Sequence, residues 1–300
     1  ESIPAKAGTT VYGKIKTQDG KPVAGVVVSD GVITTTTNEN GIYYLESDKS
    51  QRVVFYSVPS GYEPETAGVF PEIHQPLILD KHIPEIHSFV LRKLKDSVND
   101  FKVLFFGDMH LANRHSDLEQ FKRFTSDVRE YTARHSGEHI YAVTLGDMSH
   151  DKYWEEFNYA LPQYVNTINS ELNGLTIYHT IGNHDHDPKA VASNLTATTP
   201  FTKNVAPAWY SFNIGKILFV IMDNIDCSAY DGKSMNYSQG LYGKQHIWLE
   251  NDLKHVAKDI PIYIMTHAPV FSDTNTPDVY SLRNYGYDKT LKILEGREVH

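Results

Sequence analysis

The sequence predicts an α/β fold in which a small all-β domain precedes a larger, layered α/β domain. Three observations support this prediction. Residues 9–93 consist of short β-branched and aromatic runs separated by Gly, Pro, Asn and Asp turns. Beyond residue 100, apolar strand-like runs alternate with helical patterns. Four of these later runs end at polar residues that can bind a divalent metal.

The first domain is predicted at residues 1–95 as a small β-sandwich. Residues 11–15 alternate in polarity up to the turn Asp19-Gly20, which is a strong hairpin signal. Further strands are predicted at residues 26–28, 34–37, 42–45 and 53–56. Short strands at such even spacing are typical of a sandwich. We find no cluster of residues in this region that is suited to chemistry.

The second domain is predicted at residues 100–300, after a polar linker at residues 93–102. One helical face carries the apolar side chains of Leu118, Phe121, Val128 and Tyr131. Further helices are predicted at residues 153–168 and 245–256, and two strands meet at Gly215. The order β-α-β-α-β followed by β-β-α-β indicates a layered α/β domain.

The polar residues at the strand ends are the candidate site. They are Asp108 and His110 after residues 103–106, Asp147 after residues 140–145, Asn183, His184 and Asp185 after residues 175–181, and His267 after residues 262–265. Open α/β sheets gather their ligands at the carboxyl ends of their strands, so we expect these groups to converge. Converging oxygen and nitrogen donors predict a metal-dependent hydrolase.

Each of these motifs is a weak signal when it is taken alone. A Gly-Asp pair is most often a turn, and a single His at a strand end is more often structural than a ligand. The motif Gly182-Asn183-His184-Asp185 is the strongest, because three polar side chains follow a glycine that ends a strand. The ordered combination is what favours a metal site.

Composition and charge exclude some classes of partner. Lys and Arg number 28 against 37 Asp and Glu, which gives a formal charge of −9 and argues against a nucleic-acid partner. No apolar run approaches the roughly 20 residues of a membrane span. The first residue, Glu1, is not a Met and no signal segment follows it, so we expect that a leader has been removed or the chain trimmed. The oligomeric state stays open.

The motifs of residues 101–300 resemble the calcineurin-like metallophosphoesterase family. Its signature is Asp-x-His, Gly-Asp, Gly-Asn-His-Asp/Glu, a later His, and Gly-His-x-His; the first four blocks are present in order. Residues 9–93 are similar to the transthyretin-like (Ig-like) β-sandwich that precedes this domain in some bacterial members. The resemblance implies a four-layer αββα catalytic domain, and together with the amino terminus it leads us to expect an exported protein, periplasmic or extracellular.

The resemblance also implies a role for each candidate residue. Asp108 and His110 would bind one metal, Asn183 and His267 the other, and Asp147 would bridge both. His184 would be the general acid for the leaving oxygen, with Asp185 holding it in orientation. The two divalent ions would be Mn, Fe or Zn, which suit mixed Asp, His and Asn donors. Metal-bound hydroxide would then attack a phosphomonoester or phosphodiester.

The sequence departs from the family pattern at two places. The block Gly-His-x-His is absent, since the chain ends at His300, and we expect a domain that is incomplete at its carboxyl end. We interpret His300 as the first residue of the next strand rather than as a substitute ligand. Where purple acid phosphatases have a tyrosine ligand, this chain has His150, which we expect near the metals or at the surface more often than bound to one.

Alternatives to this interpretation remain. The chain can be a non-catalytic binding or scaffold protein on the same fold, or a nuclease, which the acidic charge disfavours. The substrate can be a small-molecule or a polymer phosphoester. Residues 186–208, 224–241 and 268–287 are predicted as long loops that cover the site, although solvated surface is an equal alternative for any residue in them.

Overall fold

The computed structural model describes residues 3–269 and 286–300. It confirms the predicted fold class, with a strand-rich amino-terminal region before a mixed α/β domain. The strands of the first region are β1 (Val11–Thr17), β2 (Val27–Ser29), β3 (Thr34–Thr36), β4 (Ile42–Leu45), β5 (Val53–Tyr56), β6 (Tyr62–Pro64), β7 (Thr66–Ala67), β8 (Phe70–Pro71), β9 (His74–Pro76), β10 (Glu85–Ile86) and β11 (Phe89–Lys93).

Two sheets make up most of the strand-rich region. One has the order β10-β1-β11-β6, with β4 also paired to β1, and the other has the order β3-β2-β5-β9. Alternate residues of β1 are buried, as expected for a strand with one face on a core. The Tyr56 ring of one sheet lies 4.9 Å from the Phe89 ring of the other. Apolar burial between the sheets therefore holds this region together.

The larger region begins with β12 and carries the candidate site. Its elements are β12 (Phe101–Phe106), α1 (Asp117–Arg134), β13 (His139–Thr144), α2 (Lys152–Glu156), α3 (Leu161–Leu172), β14 (Thr176–His179), a 3₁₀ turn (Asn183–Asp185), α4 (Asn194–Asn204), β15 (Tyr210–Ile214), β16 (Ile217–Ile221), β17 (Ile225–Asp226), β18 (Ser238–Gln239), α5 (Gln245–Leu253), β19 (Ile262–Met265) and α6 (Tyr287–Leu294).

The α/β domain has two sheets between helices. The strands β12, β13 and β14 are parallel, while β16 pairs antiparallel with β15 and parallel with β19. Tyr178 of the first sheet stacks on Phe212 of the second with ring centroids 3.5 Å apart. Helix α1 packs on the first sheet through Phe124 against Phe106. Beside β19, the backbone N–H of His300 donates to the carbonyl of Ile262 at 2.8 Å.

Two predictions about the helices are wrong. The helix predicted at residues 153–168 is two helices, α2 and α3, because Asn158 adopts a left-handed backbone conformation with φ 49° between them. The first predicted loop contains α4, which begins where the Ser193 hydroxyl accepts a hydrogen bond from the N–H of Thr196. Most of the third predicted loop, at residues 268–287, lies outside the described residues.

The strand-rich region packs directly on the second sheet of the α/β domain, which contains β15, β16 and β19. Val58 forms a parallel bridge with Phe212, and the Ser211 hydroxyl donates to the Ser57 hydroxyl at 2.9 Å. The Trp209 indole N–H donates to the carbonyl of Gly31 at 3.0 Å. Buried apolar side chains from both regions form one continuous cluster. The division into domains at residues 95–100 therefore stays a prediction. None of the helices that the structure describes is both long and apolar enough to cross a membrane.

One buried carboxylate contributes to the contact between α5 and β15. Asp252 of α5 is buried beside Ser211, and its Oδ2 has no hydrogen-bond partner in the described part of the chain. Burial raises the pKa of Asp252 to about 6, because the charged form loses its hydration. The folded protein therefore binds a proton here at pH values where the unfolded chain has released it.

We expect this carboxylate to make stability fall as the pH rises from about 4 to about 8. Relative to Asp252→Asn, which does not titrate, the parent should lose about 3 kcal/mol of unfolding free energy over that range, because each pKa unit corresponds to about 1.4 kcal/mol. Denaturant unfolding of both proteins at several pH values measures the difference. Parallel pH profiles for the two proteins would contradict the assignment.

Candidate metal centre

The predicted ligands lie where strands of the two sheets end. Asp108, Asp147 and Asn183 follow the parallel strands β12, β13 and β14, whose carboxyl ends share one edge. His267 follows β19 of the other sheet and reaches across to the first, where its Nδ1 lies 2.8 Å from the carbonyl oxygen of Leu145. The chain thus brings these four side chains to a single place between the sheets.

The His267 ring presents its second nitrogen to two oxygen atoms. Its Nδ1 donates to the Leu145 carbonyl, so the Nε2 of the neutral ring carries a lone pair. This Nε2 lies 2.9 Å from Oδ1 of Asn183 and 3.3 Å from Oδ2 of Asp147. Three lone-pair donors that face one another repel unless a proton or a cation lies among them. The donor set therefore fits a divalent metal.

One oxygen of Asp147 is shared between two imidazole rings. Its Oδ2 lies 3.1 Å from Nε2 of His110 and 3.3 Å from Nε2 of His267. The other oxygen, Oδ1, accepts a hydrogen bond from the backbone N–H of His184 at 2.8 Å. This arrangement leaves Oδ2 between the two rings, and the bridging role of Asp147 stays a prediction.

Asp108 is the most exposed of the predicted ligands. A carboxylate oxygen of Asp108, one of Asp147 and a ring nitrogen of His267 all lie within 4.8 Å of one another. The ligand atoms of His110, Asp147 and His184 form a second set with the same spacing. Sequence reasoning paired Asp108 with His110 on one metal, whereas these sets pair it with His267. The assignment of ligands to individual metals stays a prediction.

His184 is oriented by a carboxylate that sequence reasoning missed. Its Nδ1 lies 2.7 Å from Oδ1 of Asp151, and its ring stacks on that of His150 with centroids 3.7 Å apart. The available signal was a second acid four residues after Asp147. His150 is half-buried and stands between this pair and Tyr153. It therefore lies beside the predicted metal ligands. This agrees with the expectation that His150 is near the metals, and not with the alternative that it is at the surface.

Asp185 hydrogen-bonds to the backbone around the site, whereas the His184 ring nitrogen is bonded to Asp151, so the predicted orienting role of Asp185 stays a prediction. The buried carboxylate of Asp185 accepts hydrogen bonds from the backbone N–H groups of Asp147, Gly182 and Ser149, at 2.8, 3.0 and 3.2 Å, and from the Ser149 hydroxyl. These bonds consume both of its oxygens. Asp185 therefore fixes the loop that carries Asp147 relative to the loop that carries Asn183.

The residue after Asp185 has a structural role too. His186 is fully buried, with its Nδ1 2.7 Å from the carbonyl of Gly182 and its Nε2 3.1 Å from Oδ2 of Asp223. The hydroxyl of Tyr242 donates to the same Asp223 oxygen. Complete burial and these bonds assign it to holding the loop that carries Asn183.

Asp147 and His267 each stabilise the charged form of the other. Burial opposes ionisation of Asp147, but the bonds with His110 and His267 hold its pKa well below the ordinary value. Burial likewise opposes protonation of His267, but Asp147 raises its pKa to about 9. Without a metal, the Nε2 proton of His267 thus occupies the space between the oxygens. Metal binding would have to displace that proton, which makes metal affinity dependent on pH.

The backbone at the strand ends is unusual. Asp108, His110 and Asp147 have φ angles of 52°, 46° and 52°, in the left-handed region that residues other than glycine rarely adopt. Two glycines allow the loops to approach. A Cβ on Gly182 would lie 2.1 Å from Oδ1 of Asp147, and a Cβ on Gly146 would lie 2.6 Å from Nδ1 of His267. Such outliers are typical of functional sites.

Comparison with known proteins gives matches to both regions. Residues 101–294 match the calcineurin-like phosphoesterase family, and residues 9–94 match the family described as the N terminal of calcineurin-like phosphoesterase. No curated protein matches. Among solved structures, a dimetal phosphatase from Danio rerio is similar at 16% identity, over 68% of this chain and 80% of that one, with a TM-score of 0.46.

The close approach at Gly182 predicts a sharp effect of one methyl group. We expect Gly182→Ala to displace Asp147 and to weaken metal binding at least about tenfold, the size typical of disturbed support around a metal. Metal content after dialysis and calorimetric titration with Mn²⁺ measure this. The matched control is Gly107→Ala, because a Cβ there meets only ordinary contact with Leu145 at 3.7 Å. Equal binding by the two variants would contradict the prediction.

Proposed function

The chain belongs to the calcineurin-like phosphoesterase family, and we propose that it hydrolyses a phosphomonoester or phosphodiester with two divalent metal ions. The observation that carries the proposal is the Asp147 oxygen between His110 and His267, with Asn183 beside it. Among Mn, Fe and Zn, the mixed oxygen and nitrogen donors select no single ion. The substrate, whether small or polymeric, is left open.

The metal-binding residues would be Asp108, His110, Asp147, Asn183 and His267. Divalent ions held there would supply positive charge for the phosphate oxygens and activate water at neutral pH. Asn183 adds an oxygen donor without a charge, which limits the negative field facing the anionic phosphate. Buried hydrogen bonds to Asp185 hold the Asp147 loop, so these side chains would need little reorganisation during the reaction.

His184 is the candidate general acid in this proposal. The Asp151 carboxylate accepts from its Nδ1, which leaves the opposite ring nitrogen to give a proton to the leaving oxygen. Burial of the ring favours its neutral form, but Asp151 and Asp147 outweigh that effect and raise the pKa of His184. Asp151 is a positioning residue in this scheme, because it acts through the ring and not on the substrate.

A non-catalytic scaffold is the second candidate. Under this alternative the same residues would bind metal for structural reasons, and the acid would have no task. The separate bond from Asp151 to His184 favours the enzyme, since a structural metal site has no need of an oriented imidazole outside its ligands. A nuclease is disfavoured by the net charge of −9.

The first test of the proposal is the bridging carboxylate. We expect Asp147→Asn to lose metal binding and nearly all hydrolysis of nitrophenyl phosphates, because the amide cannot carry the negative charge that would hold divalent cations there. Steady-state assays with added Mn²⁺, together with metal analysis, measure both effects. Asp127→Asn, at an exposed position of α1, is the matched control and should behave as the parent. A parent without metal and without turnover would defeat the proposal.

The second test separates the acid from its positioning residue. His184→Ala should slow alkyl phosphates by roughly 10²–10⁴-fold and nitrophenyl phosphates much less, because only a poor leaving group needs the proton. Asp151→Asn should show the same dependence on the leaving group with a smaller loss in kcat. The measurement is kcat against leaving-group pKa for a series of esters. Equal losses across the series would argue against the acid role.

A further inference from the structure

A cavity of about 250 Å³ lies between the strand-rich region and α4, and none of its lining residues belongs to the metal centre. Residues around β5 and β9 form one wall, and α4 with the segment before β15 forms the other. Its apolar lining includes Phe55, Leu77, Leu195 and Trp209. A concave, mostly apolar cavity with a few polar groups is the usual form of a small-molecule site.

The charged residues that line this cavity are both cations. Arg52 and Lys203 face it from opposite walls, and no acidic residue is among its described lining. Within the described chain neither cation has an ion pair. Lys244 differs in this respect: it lines the adjoining hollow, a second pocket that shares Trp209 with the cavity, and its Nζ lies 3.3 Å from Oδ2 of Asp48. Two unpaired cations at one cavity, of which Lys203 is exposed, give the cavity a positive potential that suits an anionic ligand.

Two features of Arg52 destabilise the folded protein. Its φ of 61° is in the left-handed region, where glycine would be free of strain. Its Nε is buried and has no hydrogen-bond partner in the described residues. Both features destabilise the protein, and a positive side chain at this position needs another reason to be there. An oxyanion could accept from Nε and a terminal nitrogen of the guanidinium side by side.

His74, which also lines the cavity, has a ring nitrogen that lacks a hydrogen-bond donor among the described residues. Its Nε2 lies 3.0 Å from the carbonyl oxygen of Thr202, so Nε2 carries the proton. Burial lowers the pKa of His74, which keeps the ring neutral and leaves Nδ1 as an acceptor. This Nδ1 is buried without a donor in the part of the chain that the structure describes. A ligand hydroxyl would satisfy it.

We propose that the cavity binds a small organic anion, a carboxylate or a phosphate, that also carries a hydroxyl group and an apolar face. The oxyanion binds Arg52 and Lys203, the hydroxyl donates to His74, and the apolar face packs on Trp209 and Phe55. The site would be a second one, at the contact between the two regions of the chain. It does not depend on the phosphoesterase activity.

Stable probes test this proposal on the full, metal-loaded chain. Mandelate has the carboxylate, the hydroxyl and the apolar ring, and hydroxy(phenyl)methylphosphonate replaces the carboxylate by a phosphonate, so the two distinguish the kinds of anion. Phenylacetate lacks the hydroxyl, and phenylethanediol lacks the charge. Calorimetry, with Trp209 fluorescence as a second readout, should give saturable binding of at least one anionic probe, weaker binding of phenylacetate, and none of the neutral diol.

Variants distinguish the cavity from the metal centre, which could bind the same anions. Arg52→Gly and Lys203→Gln should each weaken the probe at least tenfold, which is about 1.4 kcal/mol. Arg52→Gly should also melt at or above the temperature of the parent, because it removes the strain and the unpartnered buried N–H. Arg123→Gln, an exposed cation paired with Glu119 on α1, is the control and should bind as the parent does. His74→Phe should abolish the preference for mandelate over phenylacetate.

Three results would overturn the proposal. These are the absence of saturable binding of either anionic probe at millimolar concentration, unchanged affinity in both Arg52→Gly and Lys203→Gln, and equal affinity for the neutral diol. The assay of nitrophenyl phosphate hydrolysis is independent of all of them. A protein that binds the probe but hydrolyses nothing would therefore refute the proposed function and leave the second site standing.

Discussion

The shared oxygen of Asp147 is the constraint on which the rest of the site depends. It places a negative charge between His110 and His267, which follow strands of different sheets. The two sheets must therefore keep a fixed position relative to each other. Burying a carboxylate is costly unless it is paired and hydrogen-bonded, and here partners surround it. The loop that carries it is held from below by Asp185, and the glycines at 146 and 182 remove the Cβ atoms that would keep the loops apart.

Packing far from the metal centre maintains the relative position of the two sheets. Tyr178 stacks on Phe212 between the two sheets, and Phe212 is also bridged to Val58 of the strand-rich region. Because cores are packed as tightly as organic crystals, a displacement at this stack would be transmitted to the strand ends. The strand-rich region thus acts as a support for the second sheet, and the cavity between them is part of the same contact.

The molecule has two sites of opposite electrostatic character. The metal centre concentrates carboxylates and would attract cations first and an anionic substrate only after them. The cavity at Arg52 and Lys203 has unpaired positive charge and no acid among its described lining. A chain of hydrogen bonds through Tyr242, Asp223 and His186 leads to Gly182, and Tyr242 lines the hollow that adjoins the cavity. Hydrogen bonds therefore connect the surroundings of the two places.

Local sequence determined the fold class and the set of candidate ligands, because strand periodicity and the residues after each strand are properties of short segments. It could place Asp147 and His267 at strand ends. It could not show that an oxygen of Asp147 lies between the rings of His110 and His267. It gave no means to choose Asp151 over Asp185 as the partner of His184, since both acids are near in sequence and only loop conformation separates them. It also missed α4, whose Thr- and Pro-containing segment has little helical preference of its own and is stabilised by packing. Which groups meet depends on contacts between residues far apart in the chain, and those are decided by tertiary structure alone.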